Sequence, residues 1–478
     1  MATNLTLPKT KIVCTLGPAT STEDTIKSLV EAGMSITRLN LSHGNISEHQ
    51  TSAGIVRKVS KEMDIPLGIM VDIPGIKYRT GPTNPGVVNL AIDDTITLTS
   101  RDVIGDSLLV SVSPPGIHRD VAPNRPIMVD DGLIELSVTK VSNEDVVCRV
   151  IRGGRLTEGR GVATPGKSPS QIFPDKKAIA ALEFAAKIKA DFVAISTVTG
   201  AHDVQAARNI LEMAGHSPQI ISKIERSDAL RNFTEILDAS DSIMVARGDM
   251  GVEVRLAEVP VIQKNLISTC NEAGKPVITA TQMLESMVRS SVPTRAEVTD
   301  VANAIYDGTD AIMLSGETSI GQHPVEAVRV MAEVATQTEA ALPYDKMIVD
   351  KIEQLQPQTD DAISYDACQT AYQLDASLIV AFTESGGTAT RVSKYRPVPP
   401  ILALTPSEEV QRRLTLAWGV IPVTVPRIGT VDDFFKIGED AAVSICNLNP
   451  GDLVVLVAGL PIGVQGGTNL LRVLSIPS

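Results

Sequence analysis

Along most of the chain, short apolar runs alternate with longer stretches in which apolar positions recur every three or four residues. The short runs read as buried strands and the longer stretches as amphipathic helices. Strands are predicted at 12–16 (IVCTL), 35–41 (SITRLNL), 67–72 (LGIMVD), 191–196 (DFVAIS), 219–224 (QIISKI), 242–246 (SIMVA), 276–280 (PVITA) and 310–314 (DAIML). Helices are predicted between them, at 22–32, 47–63, 201–214, 257–273 and 295–307, with another at 324–342. Strand–helix alternation implies parallel strands joined by crossover helices. Eight such strands are the number that closes a (β/α)8 TIM barrel.

One interval breaks the rhythm. Residues 74–171 separate the third strand from its helix, far too many for a βα loop. This stretch holds short β-type runs (VVNLA, TITLTS, SLLVSV, IMVDDGLIELSV, VVCRVI) punctuated by Gly, Pro, Asn and Asp. VDDGLI reads as a hairpin turn. The expectation is a small inserted β-barrel domain hinged at the barrel mouth as a lid. A polar linker, LPYDKM to QPQTDD, follows the helix at 324–342. Alternation then restarts, with runs at 377–382, 400–404, 420–425 and 453–458, which suggests a C-terminal open α/β domain. The expected division is 1–73 with 172–345 for the barrel, 74–171 for the lid and 346–478 for the C-terminal domain.

Composition narrows the function. The 478 residues are enough for about three domains. The net charge of −13 and the 3% aromatic content argue against a nucleic-acid partner. No apolar stretch reaches the roughly 18 residues of a membrane span. Five scattered cysteines without CxxC spacing argue against a disulfide framework or zinc site. With no apolar leader at the N-terminus, the expected location is the cytoplasm.

The candidate chemistry lies at the strand ends, where barrel enzymes carry their active sites. Arg38, Asn40 and Ser42 alternate on one side of the second strand, with His43 following. The third strand ends at Asp72. The fifth places Lys223 and Glu225 on one side; the sixth ends with Gly248 and Asp249; the seventh ends with Thr281; the eighth runs into Ser315 and Glu317. Glu225 and Asp249 are hard oxygen donors suited to Mg²⁺ or Mn²⁺. Lys223 beside such a metal is an arrangement that stabilises an enolate or a transferring phosphoryl group. Arg38, Arg79 and Lys177 offer further positive charge for phosphates. Taken singly, each residue has a plainer reading as an ion pair, loop hydrogen-bonder or helix cap. Their joint occurrence at successive strand ends argues for a site.

The same residues carry a resemblance to the pyruvate kinase family over nearly the whole chain. It is strongest at KTKIVCTLGPAT (9–20), AGMSITRLNLSHG (32–44), ISKIERSDALRNFTEIL (221–237), IMVARGDMGVE (243–253), KPVITATQMLESM (275–287), PTRAEVTDVANAIYDGTDAIMLSGETSIGQHPVEAV (293–328) and WGVIPV (418–423). The resemblance implies phosphoryl transfer from phosphoenolpyruvate to ADP, giving ATP and pyruvate in the last step of glycolysis. Lys223 resembles the transition-state lysine, and Glu225 and Asp249 the divalent-metal carboxylates. Gly248, Asp249 and Thr281 match the phosphoenolpyruvate site, with Thr281 where a proton reaches the enolate. Arg38 matches the phosphate-binding arginine. Asn40, His43, Arg79 and Lys177 match nucleotide-site positions. Asn40, Ser42, Asp72 and the carbonyl of Ile73 match monovalent-cation ligands. The resemblance also implies a homotetramer.

The chain departs from the family's usual LDTKGPEIRTG, reading VDIPGIKYRTG at 71–81. Lys77 stands where a glutamate is usual. Its charge is expected to substitute for K⁺, giving activity without that ion. The segment GRGVATPG (159–166) and Thr197 and Thr199 also depart, touching the lid and nucleotide side. In TESGGTATRVSKYRP (383–397), Thr383, Ser385, Gly386, Gly387 and Thr388 form a candidate phosphate nest at a helix N-terminus. The resemblance makes it an allosteric site for a phosphorylated effector. Two other readings compete: a metal-dependent aldolase or lyase, which needs no nucleotide groups, and a non-catalytic phosphoenolpyruvate sensor, which needs no transition-state lysine.

Overall fold

Eight parallel strands close into a ring in the computed structural model, which describes residues 7–166, 173–427, 429–461 and 467–477. They are Lys11–Thr15, Ile36–Asn40, Gly68–Ile73, Phe192–Ile195, Gln219–Ile224, Ser242–Ala246, Val277–Ala280 and Ala311–Leu314. The first strand pairs with both the second and the eighth, so no edge remains. These runs are buried on both faces, which is why they read as continuous apolar segments and not as alternating ones. Ile36, Met70, Phe192, Met244, Ile278 and Met313 belong to the cluster that fills the barrel interior. A second and larger cluster lies between the strands and the surrounding helices.

Capping signals set several helix starts. Asn45 and Glu48 form a reciprocal capping box before Ile46–Met63, and Thr294 and Glu297 do so before Arg295–Tyr306. Each arrangement satisfies two backbone donors that the first helical turn leaves free.

The third and fourth strands are direct neighbours, with Asp72 opposite Ala194, although the inserted segment separates them in sequence. The insertion therefore rises from the ring without disturbing it. Its strands close a second barrel of seven, running from Tyr78–Thr80 to Gly161–Ala163, with Val87–Leu90 and Gly154–Thr157 as a separate ribbon. Ile96, Leu98, Ile127, Leu136, Val138 and Val150 lie in its own apolar core. The 171/172 boundary expected from sequence lies outside the described residues.

The C-terminal sheet runs Val420–Thr424, Ile401–Thr405, Leu378–Phe382, Leu453–Ala458, Leu470–Ser475. The first four strands are parallel, and the fifth, which the sequence pattern does not mark, is an antiparallel edge. Its residues are mostly half-buried or exposed, so they carry no strong apolar signal. The stretch expected as a polar linker is also structured. Tyr344–Asp350 is helical and continues into a turn in which Lys351 is buried.

This domain seals the bottom of the barrel. Leu416 packs into the interior cluster, and Arg396 and Arg412 bind Asp310 and Asp191, which stand just before barrel strands. The opposite, C-terminal ends of the strands are left facing the lid.

Candidate active site

A buried ionic network forms where the second, third, fourth and fifth strands end. Arg38 donates from Nε to Asp72 Oδ2 at 2.8 Å and from Nη1 to Thr15 Oγ1 at 2.9 Å. Lys223 Nζ lies 3.2 Å from Asp72 Oδ1, 2.8 Å from Ser196 Oγ and 2.9 Å from Glu225 Oε1. Ser196 in turn donates to Asp72 at 3.1 Å. All six polar residues are at least nine-tenths buried. Burial alone favours a neutral amine, but the Asp72 and Glu225 carboxylates outweigh it and hold the Lys223 ammonium above its usual range. Burial likewise works against the Asp72 carboxylate, and Lys223 and Arg38 overcome it, keeping Asp72 ionised.

Beside this network stand Glu225 and Asp249. Glu225 Oε2 accepts from the Thr197 backbone N–H at 3.1 Å. Its Oε1 is buried and accepts no hydrogen bond, although Lys223 Nζ is close. A buried carboxylate oxygen whose partner is the Lys223 ion pair alone keeps a lone pair for a hard cation. Among the described residues, no group of three or more His, Cys, Asp or Glu side chains is gathered to hold a metal. Two carboxylates with room for substrate oxygens fit Mg²⁺ or Mn²⁺, and not a fully protein-caged ion.

Lys77 reaches the same carboxylates. Its Nζ lies 2.5 Å from Asp249 Oδ1 and 3.8 Å from Glu225 Oε2. No hydrogen bond or ion pair joins it to Asn40, Ser42 or Asp72, the side chains whose missing ion its charge was expected to replace. The physical reason is reach. The hinge carries Lys77 toward the sixth strand's end, and Asp72 is already paired to Arg38 and Lys223.

Thr281 sits next to Asp249's helix in a conformation that β-branched residues rarely adopt, with φ at +71°. Gln282 follows at +55°. The turn is pinned from several sides. Gly248 N–H donates to Thr281 Oγ1 at 2.8 Å, and Arg247 donates to the Thr281 carbonyl at 2.7 Å while bound to Asp300. Thr197, at the fourth strand's end, also has positive φ, at +56°. Strain held in place at a barrel mouth is a mark of function.

The remaining sequence candidates are more dispersed. Arg79 lies on the lid and donates to the Gly159 carbonyl at 2.8 Å. His43 is exposed after the second strand. Partial burial, and then the charges of Arg79 and Arg38, hold its imidazole below the usual range, so the three share one electrostatic neighbourhood. Asn40 Oδ1 accepts from the Ser42 N–H. Lys177 is exposed on the first turn of Lys176–Lys187. Ser315 and Glu317 are structural: Glu317 is buried and caps the Leu284 and Ser315 N–H groups.

Sequence reasoning missed Thr15 and Asp131. Asp131 belongs to the expected lid hairpin and lines the cleft with Lys77, Glu225 and Asp249. Burial and then the Asp249 charge raise its carboxyl above the usual range. In sequence, a turn aspartate and a cleft aspartate look alike.

The effector candidate is at the other end of the molecule. Thr383 Oγ1 accepts from Gly386 N–H, Gly386 turns at φ +95°, and the helix Gly387–Lys394 begins directly after. Thr388 and Thr468 share a hydrogen bond at 2.9 Å. Ser385, Gly386 and Gly387 face a cavity of about 380 Å³ whose other wall includes Arg208, Asp241 and Lys275 of the barrel base.

A (β/α)8 ring with a lidded mouth, where Arg38, Lys77 and Lys223 meet four carboxylates, and a docked α/β domain define a lidded barrel enzyme. Comparison with known proteins gives the particular family. The model described as "Pyruvate kinase, barrel domain" matches residues 7–328, and "Pyruvate kinase, alpha/beta domain" matches 361–474. A pyruvate kinase of Clostridium acetobutylicum is 42% identical over 98% of this chain and 99% of its own. One of Geobacillus stearothermophilus is 44% identical over 97% of this chain and 80% of its own. The crystal structure of a pyruvate kinase from Cryptosporidium parvum superposes with a TM-score of 0.93 at 35% identity, covering 99% of this chain and 97% of that one. The chain belongs to the pyruvate kinase family, whose phosphotransferases move the phosphoryl group of phosphoenolpyruvate to ADP, giving ATP and pyruvate.

Proposed function

We propose that the network around Lys223 is the reacting centre of this transfer. The carrying observation is the buried Lys223 ammonium, held charged by Asp72 and Glu225 at the barrel mouth. During transfer, the bond between phosphorus and the enol oxygen breaks, and one to a terminal oxygen of ADP forms. Positioning and charge neutralisation carry most of such catalysis. Lys223 and Arg38 neutralise the moving phosphoryl group. Asp72 and Ser196 hold Lys223 in place, so little reorganisation is needed. Gly248, Asp249 and Thr281 receive phosphoenolpyruvate, with the Gly248 N–H orienting the Thr281 hydroxyl. The enolate left behind takes a proton at its methylene carbon from the Thr281 side, through water. Glu225 and Asp249 would hold Mg²⁺ or Mn²⁺, which supplies positive charge to the phosphoryl and enolate oxygens. Asn40, His43, Arg79 and Lys177 face the nucleotide.

The finer assignments belong to the same reading. Lys77 adds its charge at Asp249 and Glu225, one residue removed from the monovalent-cation ligand Asp72, to which Lys223 joins Glu225; that added charge supports turnover without K⁺. Thr383, Ser385, Gly386, Gly387 and Thr388 receive a phosphorylated effector, and their position against the barrel base gives that ligand a route to the strands. The chain is assigned to a homotetramer in the cytoplasm. Five buried free cysteines suit a reducing compartment, and no helix among the described residues is long and apolar enough to cross a membrane. The domains are assigned as 1–73 with 172–345, 74–171 and 346–478.

The test is pyruvate release from phosphoenolpyruvate and ADP with Mg²⁺, first in potassium-free buffer and then with KCl. Full turnover without K⁺ is expected. Turnover only with KCl would remove Lys77 from the K⁺ role, and no turnover in either buffer would refute the catalytic assignment.

A further inference from the structure

Lys77 lies in the short connection between Ile73, where the third barrel strand ends, and Tyr78, where the lid begins. Its ammonium therefore ties the hinge of the lid to Asp249 on the barrel, at 2.5 Å, with Glu225 Oε2 at 3.8 Å. These are the two carboxylates assigned to the divalent cation under the proposed function, and the role of Lys77 rests on that assignment. Mg²⁺ binds oxygen at roughly 2.0–2.1 Å and demands near-octahedral geometry. An ammonium hydrogen-bonded to the same Asp249 oxygen blocks part of that sphere. Two cations a few ångströms apart also repel each other.

We infer that Lys77 is a tethered competitor for the divalent-cation site, and that metal binding releases it from Asp249 and so unlatches the lid's hinge from the barrel. The displaced ammonium has a second carboxylate to turn to. Asp131, on the lid's own hairpin, lines the same cleft and feels the charges of both Lys77 and Asp249. The exchange moves one positive charge from a barrel partner to a lid partner as another enters. This makes Lys77 a positioning residue that couples metal entry to the lid.

Two measurements without substrate test this. Mn²⁺ binding is followed by electron paramagnetic resonance of the free ion, for the unmodified enzyme, Lys77→Gln and Asp249→Ala. Loss of the competitor is expected to tighten Mn²⁺ binding by at least about threefold in Lys77→Gln. In the unmodified enzyme, acetylation of Lys77 is followed by peptide mass spectrometry with and without saturating Mg²⁺. Its labelling rate is expected to rise at least about threefold with Mg²⁺, because an amine that has left Asp249 is more open to the reagent. Unchanged labelling would mean a charge acting at a distance, and would overturn the latch even if affinity changed. Unchanged or weaker Mn²⁺ binding in Lys77→Gln would overturn it as well. If Asp249→Ala binds Mn²⁺ as tightly as the unmodified enzyme, the metal assignment fails instead, so the two failures are distinguishable.

Discussion

Lys223 and Asp72 are 151 residues apart in sequence, yet their charged groups meet at 3.2 Å inside the barrel mouth. Asp72 also binds Arg38, so one carboxylate orients both cations assigned to the phosphoryl group. This shared anchor sets what substitution should do. Lys223→Met is expected to lower kcat on the order of a thousandfold with little change in the KM for phosphoenolpyruvate, the pattern of an interaction made in the transition state. Steady-state kinetics of pyruvate release check it, and a loss under tenfold would remove Lys223 from that role.

Thr281 separates catalysis from stability. Its positive φ is strained for a β-branched residue and natural for glycine. Thr281→Gly should relieve strain while losing the hydroxyl. Relief and the greater flexibility of the unfolded chain nearly cancel, so stability should change by less than about 1 kcal/mol. Activity should fall on the order of a hundredfold, the usual worth of a positioned proton donor. Denaturant unfolding and kcat measured on the same preparation decide it.

Lys351 predicts a pH dependence of stability. It is buried where the C-terminal domain docks, donating to the Lys394 carbonyl at 2.6 Å. Burial first, and then the Arg396 and Lys394 charges, lower its pKa to about 7, with Asp310 acting in the opposite sense. The folded state therefore binds fewer protons than the unfolded state between about pH 7 and the ordinary lysine range near 10.4. Stability must rise with pH across that window and be lowest at and below pH 7. Relative to Lys351→Met, the unmodified enzyme should gain up to about 1.4 kcal/mol per pH unit in the window. Urea unfolding at pH 7, 8 and 9 measures the slope, and parallel curves would show that Lys351 is charged in both states.

Ser385→Asp tests the effector loop. A carboxylate placed before the N-terminus of Gly387–Lys394 would occupy the position assigned to phosphate and repel it. Activation of the unmodified enzyme by glucose 6-phosphate or AMP should be lost, or require at least about tenfold more ligand, in the variant. Unchanged responses to both would place the effector elsewhere.

Much of this architecture is legible in the sequence because burial of a parallel strand leaves a continuous apolar run. Gln219–Ile224 and Ser242–Ala246 fall on the predicted residues, and the helix Ile46–Met63 begins one residue earlier than its apolar repeat suggests. The lid is legible as an interruption, since 74–171 is too long and too rich in turns to be a loop. The antiparallel strand Leu470–Ser475 and the helix Tyr344–Asp350 are not legible. Half-buried edge residues and a helix begun at Pro343 carry weak patterns, and tertiary contacts decide them.

The site divides in the same way. The chain order alone puts Arg38, Asp72, Lys223, Glu225, Asp249 and Thr281 at successive strand ends, because every strand of a parallel barrel delivers its C-terminal residues to one rim. Which of those residues touch is a matter of the ring's closure and the hinge's path. Only the folded chain pairs Asp72 with two cations, sets Glu225 against Lys223, bends Thr281 into left-handed backbone and brings Lys77 to Asp249. Sequence sets the chemical types at each position through local burial and periodicity. Distances of a few ångströms between groups far apart in the chain arise from packing alone, and those distances fix the charges and the strain.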